Sequence, residues 1–104
     1  MKKTPLDPIT RLDPVIHSRI RLAILSILAS LKEASFVYLK DTIGTTDGNL
    51  SANITKLEEM GYISIEKAFI GRKPHTSCSI TQEGRKAFSA YLKTLEEILH
   101  FKPE

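Results

Sequence analysis

Between Thr45 and Thr76 the chain reads TTDGNLSANITKLEEMGYISIEKAFIGRKPHT, and two kinds of side chain there can do chemistry. Thr46, Asn49, Ser51 and Thr55 are short hydrogen-bonding residues, interleaved with the small Gly48 and Ala52 and followed by Lys56. After an apolar run come Arg72, Lys73 and His75, set around a glycine and a proline. Short donors and acceptors suit base edges and phosphate oxygens, and an alanine methyl suits the thymine methyl. Adjacent cations suit phosphates or a narrow minor groove, and a histidine adds a pH-dependent cation. This is binding chemistry aimed at duplex nucleic acid.

No catalytic constellation competes with it. Ser35, Ser51 and Ser77 have neither an adjacent base nor a strained turn, so none reads as a nucleophile. Glu58-Glu59 and Glu96-Glu97 are neighbours on helices and diverge, which makes them poor acid–base pairs. His17, His75, Cys78 and His100 lie on separate elements, with no Cys-x-x-Cys or His-x-x-His pair to hold a metal. Cys78 reads better as a small hydrophobe in a strand, with a redox switch as the lesser alternative. Catalytic residues, metal ligands and cofactors are therefore not expected, and the chain is not expected to be an enzyme.

The elements that must position these residues follow from periodicity and capping. Leu50, Ile54 and Leu57 form the apolar stripe of a helix over about 46–60, with Thr46 as N-cap, Asp47 in the first turn and Gly61 as its stop. With that stripe inward, steps of about 100° put Gly48, Ser51, Ala52, Thr55 and Glu59 outward, and Asn49 and Lys56 on one flank. A helix face built for solubility alone carries long charged residues; small ones let the backbone approach a groove floor. Asn53 falls at the core edge.

Upstream, residues 1–12 carry two prolines without periodicity and read as an extended N-terminal arm. Asp13-Pro14 reads as the N-cap and first position of a helix carrying Ile16, Ile20, Ile24, Ile27 and Leu31, with Leu25 and Leu28 widening its apolar surface. Ser35 caps a shorter helix with Phe36, Leu39 and Ile43 on one face, ended by Gly44, so helix, tight turn and helix follow one another. Tyr62 to Phe69 and Thr76 to Ile80 read as strands around the loop from Ile70 to His75, a hairpin with Arg72 and Lys73 projecting at its tip. Thr81 caps a last helix over about 81–101, in which Phe88, Tyr91, Leu92, Leu95, Ile98 and Leu99 recur at a period near 3.5.

Length and composition set the frame. The chain has 104 residues, enough for one small domain, here residues 13–104 after the arm. Hydrophobic content of 41% and charged content of 26% are those of a globular fold. One cysteine excludes an internal disulfide framework, and no apolar run is long enough to span a bilayer. The two N-terminal lysines are not followed by the apolar stretch of a secretory signal, so a cytoplasmic location and no membrane partner are expected. Net charge is only +3, but Lys67, Arg72, Lys73, Arg85 and Lys86 gather around the hairpin with Glu83 as the one intervening acid. Charge alone fits a solvated basic surface equally well; its place beside a small-residue helix favours DNA.

The segments TDGNLSANITKLEEMGYI and FIGRKPHTSCSITQEGRKAF, with DPVIHSRIRLAIL before them, resemble the winged helix-turn-helix transcription factors related to the MarR and ArsR groups. The resemblance covers about residues 13–100 and is specific mainly through the two later segments together. It implies a mainly α fold with a small β-hairpin (α+β) and a long C-terminal helix for dimerisation. It also implies Thr46 to Glu59 as recognition helix and Phe69 to His75 as wing. Asn53 stands where many relatives carry a basic or histidine residue. The expectation is a homodimeric, sequence-specific regulator on a pseudo-palindromic duplex, with the recognition helix in the major groove and the wing on flanking backbone or minor groove. The last helix is too apolar to cover only its own core, so Phe88, Tyr91, Leu92, Leu95, Ile98 and Leu99 are the candidate dimer residues, some expected to pack on the first helix of their own chain and the rest on a partner. The alternative is a winged-helix module that binds a protein partner. No polar cluster defines an effector pocket.

Overall fold

Residues 7–102 are described by the computed structural model, as five helices and a three-stranded antiparallel sheet. The order is α1 (Asp7–Thr10), α2 (Arg19–Ser30), β1 (Ala34–Ser35), α3 (Phe36–Ile43), α4 (Asp47–Glu59), β2 (Ile63–Ile70), β3 (Lys73–Ile80) and α5 (Gln82–Leu99). This is the expected α+β winged-helix arrangement. Three apolar stripes make the core: Ile20, Ile24, Leu25 and Leu28 from α2, Leu39 from α3, and Leu50, Ile54 and Leu57 from α4. Ile63 and Cys78 close it from the sheet and Tyr91 from α5.

The helix–turn–helix starts and stops where its polar residues require. The Ser35 hydroxyl accepts from the Tyr38 amide at 3.0 Å, and the Thr46 hydroxyl accepts from the Asn49 amide at 3.1 Å, each relieving an orphan N–H of the first turn. Gly44 ends α3 with φ of 77°, a left-handed cap that glycine adopts without strain. Only Thr45 and Thr46 then separate it from α4.

Three expectations need correction. The first long helix begins at Arg19, not at Asp13-Pro14, and Ser18 is its N-cap. Asp13 still makes a cap-type bond, one carboxylate oxygen accepting from the Val15 amide at 2.9 Å, but only a single turn follows, closed by the His17 amide on the Asp13 carbonyl at 2.8 Å; the other oxygen accepts from the Tyr62 hydroxyl at 2.5 Å. That holds residues 13–18 in a turn which still delivers Ile16 to the core. Second, the arm is not extended throughout, because residues 7–10 form a helical turn packed against α5; residues 1–6 of the expected arm lie outside the described residues. Third, the hairpin is longer and tighter than expected. Its strands close at Ile70↔Lys73 around the two-residue turn Gly71-Arg72, so Lys73, Pro74 and His75 belong to β3. Gly71 has φ of 66° and Arg72 has none of the positive φ of a second glycine-like position, the pattern of a type II′ turn. Pairing alternates from that closing pair, which leaves Pro74 opposite Phe69 at a position where no amide is asked of it.

The sheet order is β1-β3-β2, with Ala34 and Ser35 paired to Cys78 and Ser77. A two-residue strand has no periodicity to reveal it in sequence.

At the base of the hairpin, α5 is joined to the end of α4. The Thr81 hydroxyl accepts from the Gly84 amide at 2.9 Å as N-cap and donates to the Gly61 carbonyl at 2.6 Å, while the Thr81 amide donates to the Tyr62 carbonyl at 3.0 Å. Gly84 lies so close that a Cβ there would stand 2.1 Å from the Tyr62 carbonyl oxygen and 2.9 Å from Cγ1 of Ile80. Gly84→Ala is therefore expected to destabilise the fold by about 1–3 kcal/mol, because backbone must move to admit the methyl. Urea or thermal denaturation measures it, and a variant as stable as wild type would refute the close approach.

Candidate nucleic-acid interface

One exposed face of α4 gathers the residues singled out by spacing. Thr46, Gly48, Asn49, Ser51, Ala52, Thr55 and Lys56 are all exposed, while Leu50, Ile54 and Leu57 on the opposite side are buried. Gly48 has nothing within 4 Å of where a Cβ would sit, and its φ is not positive, so neither packing nor backbone geometry calls for glycine there. Asp47 would oppose an approaching phosphate, but Lys40 Nζ binds its carboxylate at 3.0 Å. The same contact raises the Lys40 pKa, first through the hydrogen bond and then through Coulomb attraction.

A polar chain crosses the flank of this face. Arg21 on α2 donates through Nε to the Val15 carbonyl and through Nη1 to Asn53 Oδ1 at 2.7 Å. Asn53 Nδ2 donates to the Asn49 carbonyl at 2.8 Å and to Asn49 Oδ1 at 3.1 Å. Asn49 Nδ2 in turn donates to the Thr45 hydroxyl at 2.9 Å. Asn53 is thus at the core edge, as the helical wheel indicated. Arg21 was missed: in sequence it is one cation among many on a helix, and its contact to α4 is tertiary.

Beside α4 stands the hairpin. A groove of ≈ 510 Å³ runs between them, with Ser51, Thr55 and Glu58 on one wall and Lys67 and Thr76 on the other. Arg72 occupies the turn and Lys73 the first strand position after it; both are exposed, and neither has an acidic partner among the described residues. The tip also carries Phe69 and Ile70, 74% and 65% exposed, an apolar pair that a reading led by charge passed over. His75 is not at the tip. It sits within β3 opposite Ala68, half-buried beside Ser35 and Val37.

On α5 the six apolar residues divide. Tyr91 is 3% exposed and belongs to the chain's own core, its hydroxyl 2.8 Å from His17 Nδ1, so it falls on the own-chain side of the expected division. Phe88 and Leu95 pack against the core from its edge, and Ile98 is half-buried. Leu92 and Leu99 are 45% and 75% exposed.

Cys78 is buried, and burial pushes its thiol up to about 11. It stays protonated near neutral pH and lacks the exposed thiolate of a redox sensor. Burial, with the hydrogen bond to Asp13 second, likewise pushes Tyr62 up to about 12. Among the described residues no group of three or more His, Cys, Asp or Glu side chains could hold a metal, and no helix is long and apolar enough to cross a membrane.

Known proteins share this architecture. An uncharacterized protein of Methanocaldococcus jannaschii, MJ0432, is 38% identical over 78 residues, which are 75% of this chain and 85% of that one. A transcriptional regulator homologue from Pyrococcus horikoshii superposes with a TM-score of 0.82 at 26% identity, over 91% of this chain and 93% of that one. The transcriptional repressor CouR, solved on a 23-mer DNA duplex, gives 0.67 at 18% identity, over 93% of this chain and 63% of that one, a likeness of fold. Residues 20–99 match the family model of the winged helix DNA-binding domain, and the chain belongs to that family.

Proposed function

We propose that the protein is a homodimeric transcriptional regulator that reads a pseudo-palindromic duplex, with α4 in the major groove and the β2–β3 turn on flanking backbone or minor groove. The observation that carries this is the exposed face of α4, where Gly48, Ser51, Ala52 and Thr55 present no long side chain although nothing in the fold crowds them. A major groove about 12 Å wide admits a helix whose face is that low. A repressor that shares this fold is solved on a DNA duplex, which supports duplex DNA as the partner.

The wing supplies affinity more than sequence choice. Arg72 and Lys73 stand free at the end of the hairpin, beyond the Lys67 and Thr76 that face Ser51 and Thr55 across the groove, where backbone flanking a docked helix would pass. Pairing of two copies is supported by α5. Leu92 and Leu99, seven positions apart, fall on one line of the helix and stay exposed after the chain's own core is complete. Ile9, 47% exposed on α1, lies on a turn packed against the same helix.

The double substitution Arg72→Ala with Lys73→Ala is expected to weaken binding across all sequences and to flatten the slope of log K against log salt by about 1.8 per protomer, at about 0.9 per lost phosphate contact. A titration on genomic duplex fragments at several salt concentrations measures it; unchanged binding at every salt overturns the wing's role. Flat salt dependence in the wild type would favour a protein partner instead. Gly48→Ala has room and sits in the first turn of α4, so it should leave the fold at least as stable as wild type, by up to about 0.5 kcal/mol, yet weaken specific DNA binding. A variant at least that stable with undiminished affinity would remove the close approach of α4 to DNA. Leu92→Glu with Leu99→Glu should yield a folded monomer by light scattering, and an unchanged mass would move the interface elsewhere.

A further inference from the structure

The polar chain beside α4 has a direction, and it fixes which atoms Asn49 offers. An arginine guanidinium only donates, so the Asn53 atom facing Arg21 Nη1 at 2.7 Å must be its oxygen. A backbone carbonyl only accepts, so the Asn53 atom facing the Asn49 carbonyl at 2.8 Å must be its nitrogen. The two demands agree. The same nitrogen reaches the Asn49 side chain at 3.1 Å, which must therefore present oxygen there. Asn49 is left with its NH₂ toward the Thr45 hydroxyl, 2.9 Å away. Orientation thus passes from Arg21 through Asn53 to Asn49, from one helix to the exposed first turn of the next.

Each partner uses part of what Asn49 has. Its amide oxygen carries two lone pairs and its nitrogen two hydrogens. Asn53 takes one lone pair and Thr45 accepts one hydrogen, so one acceptor and one donor remain on an exposed side chain. Adenine asks for that pair at its major-groove edge, where N6 donates and N7 accepts, and asparagine is the residue that meets it with two bonds. Recognition helices contact base edges chiefly with their N-terminal residues, and Asn49 is the third residue of α4.

Resting on the proposed function, the geometry points to Asn49 as an adenine-reading residue, with Arg21 and Asn53 as positioning residues that set its sense without touching DNA. Arg21 also holds the Val15 carbonyl and so is anchored on the turn before α2, not free to follow α4. An asparagine locked before binding loses little rotamer freedom on contact and rejects a base that cannot complete both bonds.

Selection of bound duplexes from a randomised library, read out base by base, tests this. Wild type should prefer adenine at one position of each half-site by about 5- to 150-fold, the range of a two-bond base contact. Asn49→Ala should bring that position near equality among the four bases and leave the others unchanged. Asn49→Asp, which keeps an acceptor and loses the donor, should move the preference toward cytosine, whose N4 donates. It sits in an exposed first turn that favours a carboxylate, so it is expected to fold. Asn53→Asp keeps an acceptor for Arg21 but removes the donor to Asn49. It should relax the same position as Asn49→Ala, with the salt slope of wild type. A merely structural Asn53 would lower binding to every sequence alike, and that result, or a profile identical to wild type, overturns the positioning role. An adenine preference that survives in Asn49→Asp overturns the reading role. Wild-type protein that binds a defined operator without these dependences sinks this inference alone, whereas wild type that selects no sequence sinks the DNA reading itself.

Discussion

The peptide around Tyr62 is where the parts of the fold are tied. Its carbonyl accepts the Thr81 amide and abuts Gly84, while its hydroxyl reaches Asp13. Thr81 is N-cap of α5 and at the same time binds the Gly61 carbonyl at the end of α4. One short stretch therefore fixes the exit of α4, the base of the hairpin, the start of α5 and the turn before α2. Because β2 and β3 leave this point paired from Ile63↔Ile80 onward, the pitch of the wing relative to α4 is not free to vary. The only backbone able to come this close is one without a Cβ, so the geometry depends on a glycine inside a helix, where glycine is otherwise costly.

That junction also bears on how a signal or a partner would be felt at the exposed face of α4. α5 cannot tilt without moving Thr81 and Gly84 against residues 61–62, and those residues follow α4 directly. A partner along Leu92 and Leu99 would therefore set the spacing of two α4 helices through rigid contacts rather than through a hinge. His17, half of the contact to the buried Tyr91 hydroxyl, lies on the turn that Asp13 and Tyr62 also hold, so the same α5 helix is braced from two sides.

What the sequence revealed was set by whether the information is local. Thr46, Ser35 and Thr81 cap the helices they were expected to cap, and Leu50, Ile54 and Leu57 are buried as the wheel placed them, because caps and apolar stripes act within a few residues. Asp13-Pro14 misled in extent: Asp13 does accept the Val15 amide, but the turn it starts stops short of the long helix, which Ser18 caps afresh, and its second oxygen is held by a tyrosine 49 positions away. The wing was drawn too loose because Pro74 reads as a strand breaker, yet its place opposite Phe69 asks nothing of its missing amide. The exposed face of α4 was legible, but the lock on Asn49 was not, since it runs through an arginine 32 positions before Asn53.

The composition of α4 shows a conflict between local propensity and use, and the way the fold resolves it. Gly48, Asn49, Ser51, Asn53 and Thr55 are all weaker helix formers than alanine, so an isolated peptide of this sequence would hold little helix. The surrounding contacts offset this: a hydroxyl cap from Thr46, a salt bridge from Lys40 to Asp47, and a stripe of Leu50, Ile54 and Leu57 sunk in the core. Even the two asparagines are turned to account, since Asn53 satisfies the Asn49 carbonyl side of the helix while it receives Arg21. Stability is thereby drawn from the start of the helix and its buried stripe, and the exposed stretch through Ser51, Ala52 and Thr55 is left low and hydrogen-bonding. Nothing in the fold resists a side chain at Gly48; under the proposed function the glycine there keeps this face low for DNA.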